Sequence, residues 1–417
     1  MPRHHLLGAA QLLLLMPLLP HFAAASEGDA SAEFQGCEAV CQYTGCLPPA
    51  LQKWNPEAGG ALGDGIAPAA AGSGCSIACP RNAPRYQPPL ALRLARWGCA
   101  DDCAYHCMWA AERRRAAAGE GPVWKYTGKW PFIRVLGAQE IASVVFSVAN
   151  LLAHVAGLRR YAAALRAARA AGATGGGGAA KGSGGGSSGG GAGGGHYPYA
   201  WIWWLYGAAS LIAWVWSSVF HVRDIRVTER LDYFSADALV AAGALAAAVR
   251  TLRLSRPSRA LPAAAAAAAG LLWHVRYMAF VKFDYGYNMA VCIAAGVATA
   301  IAWVAWAATA RHPARRRLFA FVAAVHLAMA LEVLDFPPLL GLLDAHALWH
   351  AATALLMPLW YDFVVADVAW VAAGGGGNGS GGDGEGGGGG SGALARAPSP
   401  VPSGRRRAAA ADGKRES

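Results

Sequence analysis

The chain has 417 residues, of which 55% are hydrophobic and only 15% are charged, and its mean hydropathy is +0.28. A soluble domain of this length needs more charge to cover its surface, so the composition argues against a soluble globular protein and indicates a membrane protein. The net charge of +11 does not indicate nucleic-acid binding, because the basic residues are scattered between apolar segments instead of forming one face.

Residues 1–25 have the pattern of a secretory signal peptide. The basic residue Arg3 precedes an apolar run over 12–19, and the small residues 23–25 offer a cleavage site before Ser26. An uncleaved membrane anchor is the alternative interpretation. The apolar run is short for a membrane span, which favours cleavage.

Residues 26–130 form a predicted luminal domain that is rich in cysteine. An even set of cysteines behind a signal peptide predicts a disulfide framework, whose pairing the sequence leaves open. Zinc binding by these thiols is the alternative, and the absence of paired CxxC spacings argues against it. The cysteines in question are Cys37, Cys41, Cys46, Cys75, Cys79, Cys99, Cys103 and Cys107.

A series of apolar segments follows, each of about 20 residues and long enough to cross a bilayer of roughly 30 Å. We therefore predict an all-α membrane protein whose core, residues 131–372, is a bundle of seven transmembrane helices. The fourth segment is the weakest of them, because a run of alanine is barely hydrophobic enough. The predicted spans are 132–157, 198–220, 233–252, 261–281, 287–309, 318–337 and 347–370.

The basic residues predict the orientation of this bundle. They concentrate in the first, third and fifth connections and in the C-terminal tail, for example Arg159 and Arg160 in the first connection. By the positive-inside rule these connections and the C-terminus are cytosolic, and the N-terminus with its cysteine-rich domain is luminal. The glycine-rich residues 175–195 and 373–417 are predicted to be a flexible cytosolic linker and a disordered cytosolic tail.

Ionisable side chains at membrane depth are costly, and they indicate function when they converge. The second span ends with Ser217 and His221, four residues apart on one helix face, and the third span begins with Asp232. The seventh span begins with His346 and His350, a spacing that lets two imidazoles bind one metal ion. Topology places all five residues near the luminal surface. Three histidines with an open position are the ligand set of a catalytic zinc site.

An HxxxH spacing by itself is more often a packing or capping feature than a metal site. The run 346–350 also lacks the internal glutamate of HExxH, so the base must come from elsewhere, and Asp232 is the nearest candidate. His274 and His326 stand alone and are expected to be structural. The other polar residues near the spans are expected to form helix–helix hydrogen bonds. These are Glu140, Asn150, His154, Asp284, Asn288, Glu332 and Asp335.

Several long motifs resemble the family of post-GPI-attachment-to-proteins remodelling proteins. The resemblance covers roughly residues 36–370, including a segment of the cysteine-rich domain at 102–108. The motifs in the predicted bundle are KWPF at 129–132, FSVAN at 146–150, WVWSSVFHVRD at 214–224, TERLDYFSA at 228–236, FDYGYNM at 283–289, DFPP at 335–338 and DAHALWH at 344–350.

That family is similar to a wider superfamily, named CREST, which includes alkaline ceramidases and progestin/adiponectin-type receptors. The superfamily pattern is a serine four residues before a histidine, an aspartate in the next helix and a late HxxxH. The resemblance implies a Zn²⁺-dependent hydrolase that removes the sn-2 acyl chain from GPI-anchored proteins, as a phospholipase A2 does. It implies the metal ligands His221, His346 and His350 and the catalytic residues Ser217 and Asp232.

Two other functional classes stay open. A ligand-sensing receptor of the same superfamily would keep the metal, although the large luminal domain favours recognition of a luminal substrate. A proton-coupled transporter would also use intramembrane histidine and aspartate, but the sequence has no evident inverted repeats. No KDEL-type or dilysine signal is present at the C-terminus, which favours the Golgi over the endoplasmic reticulum.

Overall fold

The computed structural model describes residues 26–44, 47–54, 89–175 and 196–375 of the chain. Within these ranges the protein is helical, and β-structure is confined to isolated antiparallel bridges at three tight turns. The predicted signal peptide, three of the cysteines, most of the glycine-rich linker and most of the tail lie outside the described residues. The cysteines concerned are Cys46, Cys75 and Cys79.

Two disulfides hold the cysteine-rich domain together. Cys37 pairs with Cys107 and Cys41 with Cys103, so that two turns of one helix are joined to two turns of another. Cys99 is disulfide-bonded as well. These bonds confirm that the domain contains a disulfide framework. Its helices are α1 (Ala32–Thr44), α2 (Pro49–Gln52), α3 (Leu90–Leu94) and α4 (Cys99–Ala117).

Seven longer helices follow, one at each predicted span. Five of them, α5, α6, α7, α9 and α11, are long and apolar enough to cross a membrane by length and composition. The chain is therefore a multi-pass membrane protein, and the crossing of the membrane by α8 and α10 stays a prediction. The helices are α5 (Ile141–Gly175), α6 (Ala200–Val222), α7 (Arg226–Thr251), α8 (Pro257–Phe280), α9 (Tyr285–Thr309), α10 (Arg315–Leu334) and α11 (Ala345–Ala372).

The first helix of the bundle differs most from its predicted span of 132–157. It begins only at Ile141, because a tight turn with positive φ at Leu136 and Gly137 interrupts the chain before it. It then continues to Gly175, because the alanine, leucine and arginine residues beyond 157 favour a helix even where the sequence is no longer strongly apolar.

The last helix, α11, packs against both α5 and α10, while α6 packs between α5 and α7. Where α5 and α11 meet, Gly157 permits close contact, since a Cβ atom there would overlap the ring of Tyr361. Val222, the last residue of α6, packs against the apolar cluster around Leu92 in the cysteine-rich domain. We call this side of the bundle the domain end.

A buried ion pair closes the opposite end of the bundle. The guanidinium of Arg250 donates two hydrogen bonds of 2.7 and 2.6 Å to the two carboxylate oxygens of Asp367. Tyr197 donates its hydroxyl to the same carboxylate at 2.5 Å, and His312 approaches it to 3.4 Å. All three polar partners of Asp367 are drawn from different segments, so this contact ties α7, α11 and two connections together.

Candidate metal centre

Three imidazoles converge at the domain end of the bundle. The ring centroid of His221 lies 5.2 Å from that of His346 and 5.1 Å from that of His350. One ring nitrogen of each histidine lies within 4.8 Å of those of the other two. Two nitrogens bound to one zinc at about 2 Å each are at most about 4 Å apart, so ring movements of about 1 Å suffice to reach a shared ion.

The outer nitrogen of each ring is oriented by a neighbouring oxygen. Metal-binding histidines usually donate their second N–H to such an oxygen, which leaves the other nitrogen free as a ligand. Two of these oxygens belong to carboxylates and the third to a serine hydroxyl. The pairs are His221 Nδ1 with Glu140 Oε2 at 2.7 Å, His346 Nδ1 with Glu332 Oε2 at 2.7 Å, and His350 Nδ1 with Ser147 Oγ at 2.9 Å.

The inner nitrogens face one another. Nε2 of His221 is buried and has no hydrogen-bond partner among the described residues. Nε2 of His346 and Nε2 of His350 are 2.9 Å apart. A buried nitrogen without a partner is rare in folded proteins and indicates a missing ion or ligand. Together with the Nε2 atoms of His346 and His350, this nitrogen fits the ligand set of Zn²⁺, so the cluster is suited to hold a metal ion.

Glu140 lies immediately before α5 and is embedded among charges. Burial opposes its negative charge, but Lys129 and His221 hold the pKa of this carboxyl well below its ordinary value. The same Lys129 ammonium also pairs with Asp224 at 3.1 Å. The backbone N–H of Glu140 donates to the carbonyl of His221 at 3.0 Å. The carboxylate is therefore held ionised and in place as an acceptor for the imidazole.

Ser217 is connected to the histidine cluster through a second serine. Its Oγ lies 3.0 Å from Ser147 Oγ, which in turn contacts Nδ1 of His350. Asn150 donates its amide to the carbonyl of His350 at 2.7 Å. Ser217 thus lies beside the histidine cluster, and Asn150 makes the helix–helix hydrogen bond expected of it, whereas Ser147 was not singled out in the sequence.

Asp232 lies in the second turn of α7, because that helix begins at Arg226. Its carboxylate is close enough to His346 and Lys129 for electrostatic interaction. No hydrogen bond from a described residue reaches this carboxylate, whereas the backbone carbonyl of Asp232 accepts one from Ser235. The side chain is therefore not committed to a protein partner within the described ranges.

Two of the side chains expected to bridge helices do join different segments, and the partner of each is a candidate ligand. Glu140 and Glu332 both accept from histidines of the cluster. Their predicted depth in the membrane was the available clue, since each carboxylate lies at the same end of the bundle as the histidine that it contacts. The bridging hydrogen bonds expected elsewhere do occur, as between His154 and Tyr361 at 3.1 Å.

The remaining polar residues have structural contacts. His274, expected to be structural, lies 2.8 Å from Asn288. His326 contacts the carbonyl of Val322 in its own helix at 2.8 Å. Further along the chain, Asp284 caps the start of α9, and Asp335 accepts from the indole of Trp130 at 2.7 Å.

Comparison with known proteins gives one consistent result. The model of the Per1-like family matches residues 89–368. The protein named GPI-specific phospholipase A2-like PGAP3 from Mus musculus is 33% identical over 85% of this chain and 93% of its own length. Post-GPI attachment to proteins factor 3 from Drosophila melanogaster is 32% identical over 85% and 92%. Protein PER1 homolog from Schizosaccharomyces pombe is 35% identical over 66% and 77%. No solved structure matches the chain significantly.

Proposed function

The chain belongs to the Per1-like family, and we propose that it remodels GPI anchors by hydrolysing one acyl ester of the anchor lipid. The names of its relatives from mouse and fly refer to GPI-specific phospholipase A2-like activity and to events after GPI attachment. The observation that carries the proposal is the cluster of His221, His346 and His350, each with its outer nitrogen oriented and its inner nitrogen directed to a common point.

The proposed ligands would hold Zn²⁺ through their Nε2 atoms. When bound there, zinc polarises an ester carbonyl and lowers the pKa of water, which makes hydrolysis feasible at neutral pH. Glu140 and Glu332 keep Nδ1 of their histidines protonated and so keep the opposite nitrogen available.

Two consecutive hydrogen bonds connect His350 to Ser217 through Ser147, and the protonation of His350 sets their direction. If Nδ1–H of His350 donates to Ser147, then Ser147 donates to Ser217, and the hydroxyl hydrogen of Ser217 is left to point onward. We propose that this hydrogen stabilises the negative charge that develops on the ester oxygen.

Asp232 is proposed as the general base. It accepts a proton from the attacking water and returns it to the leaving hydroxyl of the lipid, which yields a free fatty acid and a lysolipid. Its lack of a hydrogen bond from any described side chain supports this role, since a committed carboxylate would have to break a contact first. The sn-2 ester is the proposed point of cleavage.

The location of the site suits such a substrate. The cluster lies at the domain end of the bundle, where α6 ends and α11 begins. We propose that this end faces the lumen of the Golgi, so that the acyl chains of the substrate lie in the membrane and its protein lies beside the cysteine-rich domain.

The proposal is tested by mass spectrometry of GPI lipids in cells that lack the endogenous activity and express single variants. We expect His346→Ala and Asp232→Asn to accumulate diacyl anchors, while wild type produces lyso forms. His326→Gln is the matched control, since this histidine contacts only its own helix in the described structure. Lyso anchors at wild-type levels in both site variants, at equal expression, would end the hydrolase proposal.

A further inference from the structure

Two tight turns at the domain end carry leucine at their tips. Leu136 and Gly137 both have positive φ, 50° and 80°, and Leu340 and Gly341 have φ of 55° and 72°. Antiparallel bridges close each turn, Val135 with Ala138 and Leu339 with Leu343. Consecutive positive φ values are the pattern of type I′ turns, which favour asparagine, aspartate or glycine at the first central position.

Leucine is unfavourable at these tips for two separate reasons. A branched apolar side chain with positive φ is strained by contact with its own backbone. The side chains of these leucines are also largely exposed: Leu136 is 76% exposed and Leu340 is 91% exposed. Among the described residues, neither leucine gains packing that would offset the strain.

A third turn provides the comparison. Thr127 and Gly128 have φ of 49° and 82°, and an antiparallel bridge joins Tyr126 to Lys129. Its tip is polar, and the backbone N–H of Thr127 donates to Asp29 in the cysteine-rich domain at 2.7 Å. The same backbone shape thus occurs with a polar residue at the tip where that tip residue is itself hydrogen-bonded to the domain.

The leucine turns adjoin helices that are long and apolar enough to cross a membrane. The first turn ends three residues before Ile141 opens α5, and the second lies within the short connection between α10 and α11. The backbone N–H of Ile133 donates to the carbonyl of Gly341 at 2.8 Å, which joins the two turns to each other. Both turns therefore lie beside the N-terminal ends of α5 and α11, two helices that are long and apolar enough to cross a membrane.

A neighbouring helix shows the same arrangement. On α3, Leu90 and Leu94 are one turn apart and 65% and 75% exposed, while Leu92 between them is buried against Val222 at the end of α6. The Gly137 turn lies directly against α3, since a Cβ at Gly137 would meet the carbonyl of Ala91. Four exposed leucines, Leu90, Leu94, Leu136 and Leu340, therefore lie at the domain end.

We propose that Leu136 and Leu340 insert into the leaflet that borders the cysteine-rich domain. Lipid acyl chains are the occupant that suits this surface, because the tips are continuous with helices that cross the same bilayer. The inserted tips fix the depth of the histidine cluster, since Glu140 and His346 follow them closely in the chain. The inference concerns membrane contact alone and does not depend on hydrolysis.

The test uses the full-length protein in phosphatidylcholine nanodiscs. An environment-sensitive fluorophore is attached to a single cysteine at position 136, 340 or 127 in a Cys292→Ala background, with the disulfides kept intact. We expect doxyl-labelled phosphatidylcholine to quench the label in Leu136→Cys and Leu340→Cys at least threefold more strongly than in Thr127→Cys. Equal lipid quenching at all three positions would overturn the proposal, as would a tip that neither lipid nor aqueous iodide quenches, which indicates a protein partner.

A second variant separates membrane contact from folding. Asparagine is favoured at the first central position of such turns, so Leu340→Asn should leave the melting temperature in detergent unchanged or raise it. In nanodiscs, a label on Leu136→Cys should lose part of its lipid quenching when Leu340→Asn is added. A fall in the melting temperature in detergent would show that Leu340 stabilises the fold itself and would contradict the proposal.

Discussion

The Nδ1 nitrogen of His221 lies 2.7 Å from the Oε2 oxygen of Glu140, although the two residues are 81 positions apart in the chain. Glu140 immediately precedes the first long helix of the bundle and His221 lies in the last turn of the second, so the contact exists only because both helix termini lie at the same depth. The orientation of the candidate ligand His221 therefore depends on Glu140, which is not itself a candidate ligand.

Replacement of this carboxylate should weaken metal binding. In Glu140→Gln the amide accepts more weakly than a carboxylate, and we expect the affinity for zinc to fall about 10- to 100-fold. Metal content of the purified protein after equilibration with a calibrated chelator measures the change. Asp335→Asn, which alters an exposed acid near α10, is the control and should retain its zinc. Unchanged zinc affinity in Glu140→Gln would remove this residue from the site.

The same contact predicts a pH limit. Because Lys129 and His221 lower the pKa of Glu140, its pairing contributes stability that is present above the ordinary pKa of about 4.3 and is lost as the pH falls through the lowered value. We therefore expect the difference in melting temperature between wild type and Glu140→Gln to stay constant from about pH 8 to 5. A difference that disappears within this range would show that Glu140 is not held ionised.

The disulfides should dominate the stability of the cysteine-rich domain. Removal of the Cys41–Cys103 bond by the double variant Cys41→Ser, Cys103→Ser is expected to cost about 2–5 kcal/mol. Limited proteolysis should then cut the domain at lower protease concentrations. Cys292→Ser, which changes a half-buried free thiol in the bundle, should have the wild-type cleavage pattern. Identical patterns for all three proteins would contradict this expectation.

Close packing of α5 on α11 depends on the glycine between them. Gly157→Ala places a methyl group on the ring of Tyr361, and we expect a loss of about 1–3 kcal/mol, seen as a lower melting temperature. Gly296→Ala, a glycine inside another long helix, α9, is the matched control. Its added methyl group meets no other atom, so it should be neutral or stabilising. The idea fails if both variants melt at the same temperature.

Loss of the buried ion pair should be severe. Asp367→Asn leaves the guanidinium of Arg250 buried without its counter-charge, which we expect to cost about 3–5 kcal/mol. Asp362→Asn changes a more exposed aspartate on the same helix and should cost at most about 1 kcal/mol. The melting temperatures of the two variants are compared in one detergent. Similar losses would mean that the buried pair contributes no more to stability than the more exposed aspartate does.

The sequence predicted the positions of the long helices better than the contacts between them. Hydrophobic segments gave a helix at each of the seven expected places, because burial in lipid demands long apolar runs. Spacing and depth also brought together the three histidines, which lie in α6 and α11. Whether α8 and α10 cross the membrane is not decided by their length and composition.

The carboxylates behind the histidines could not be assigned in this way. For Glu140 and Glu332 the expected role was a helix–helix hydrogen bond, and the partner in that bond depends on the rotation of each helix about its axis. Rotation is set by packing, for example by the contact of Gly157 with Tyr361, and single-sequence hydropathy does not encode it. The Arg250–Asp367 pair was missed for the same reason.

The last helix carries both His346 and His350 and, farther on, the partner of Arg250. A ribosome must therefore finish almost the whole bundle before either end of it can be completed. A premature stop between codons 250 and 367 leaves the Arg250 cation without its counter-charge, whatever happens at the imidazoles. Truncated products of this kind are expected to be recognised as misfolded by the cell's quality control. Truncating alleles should therefore lower the amount of protein and not merely its activity.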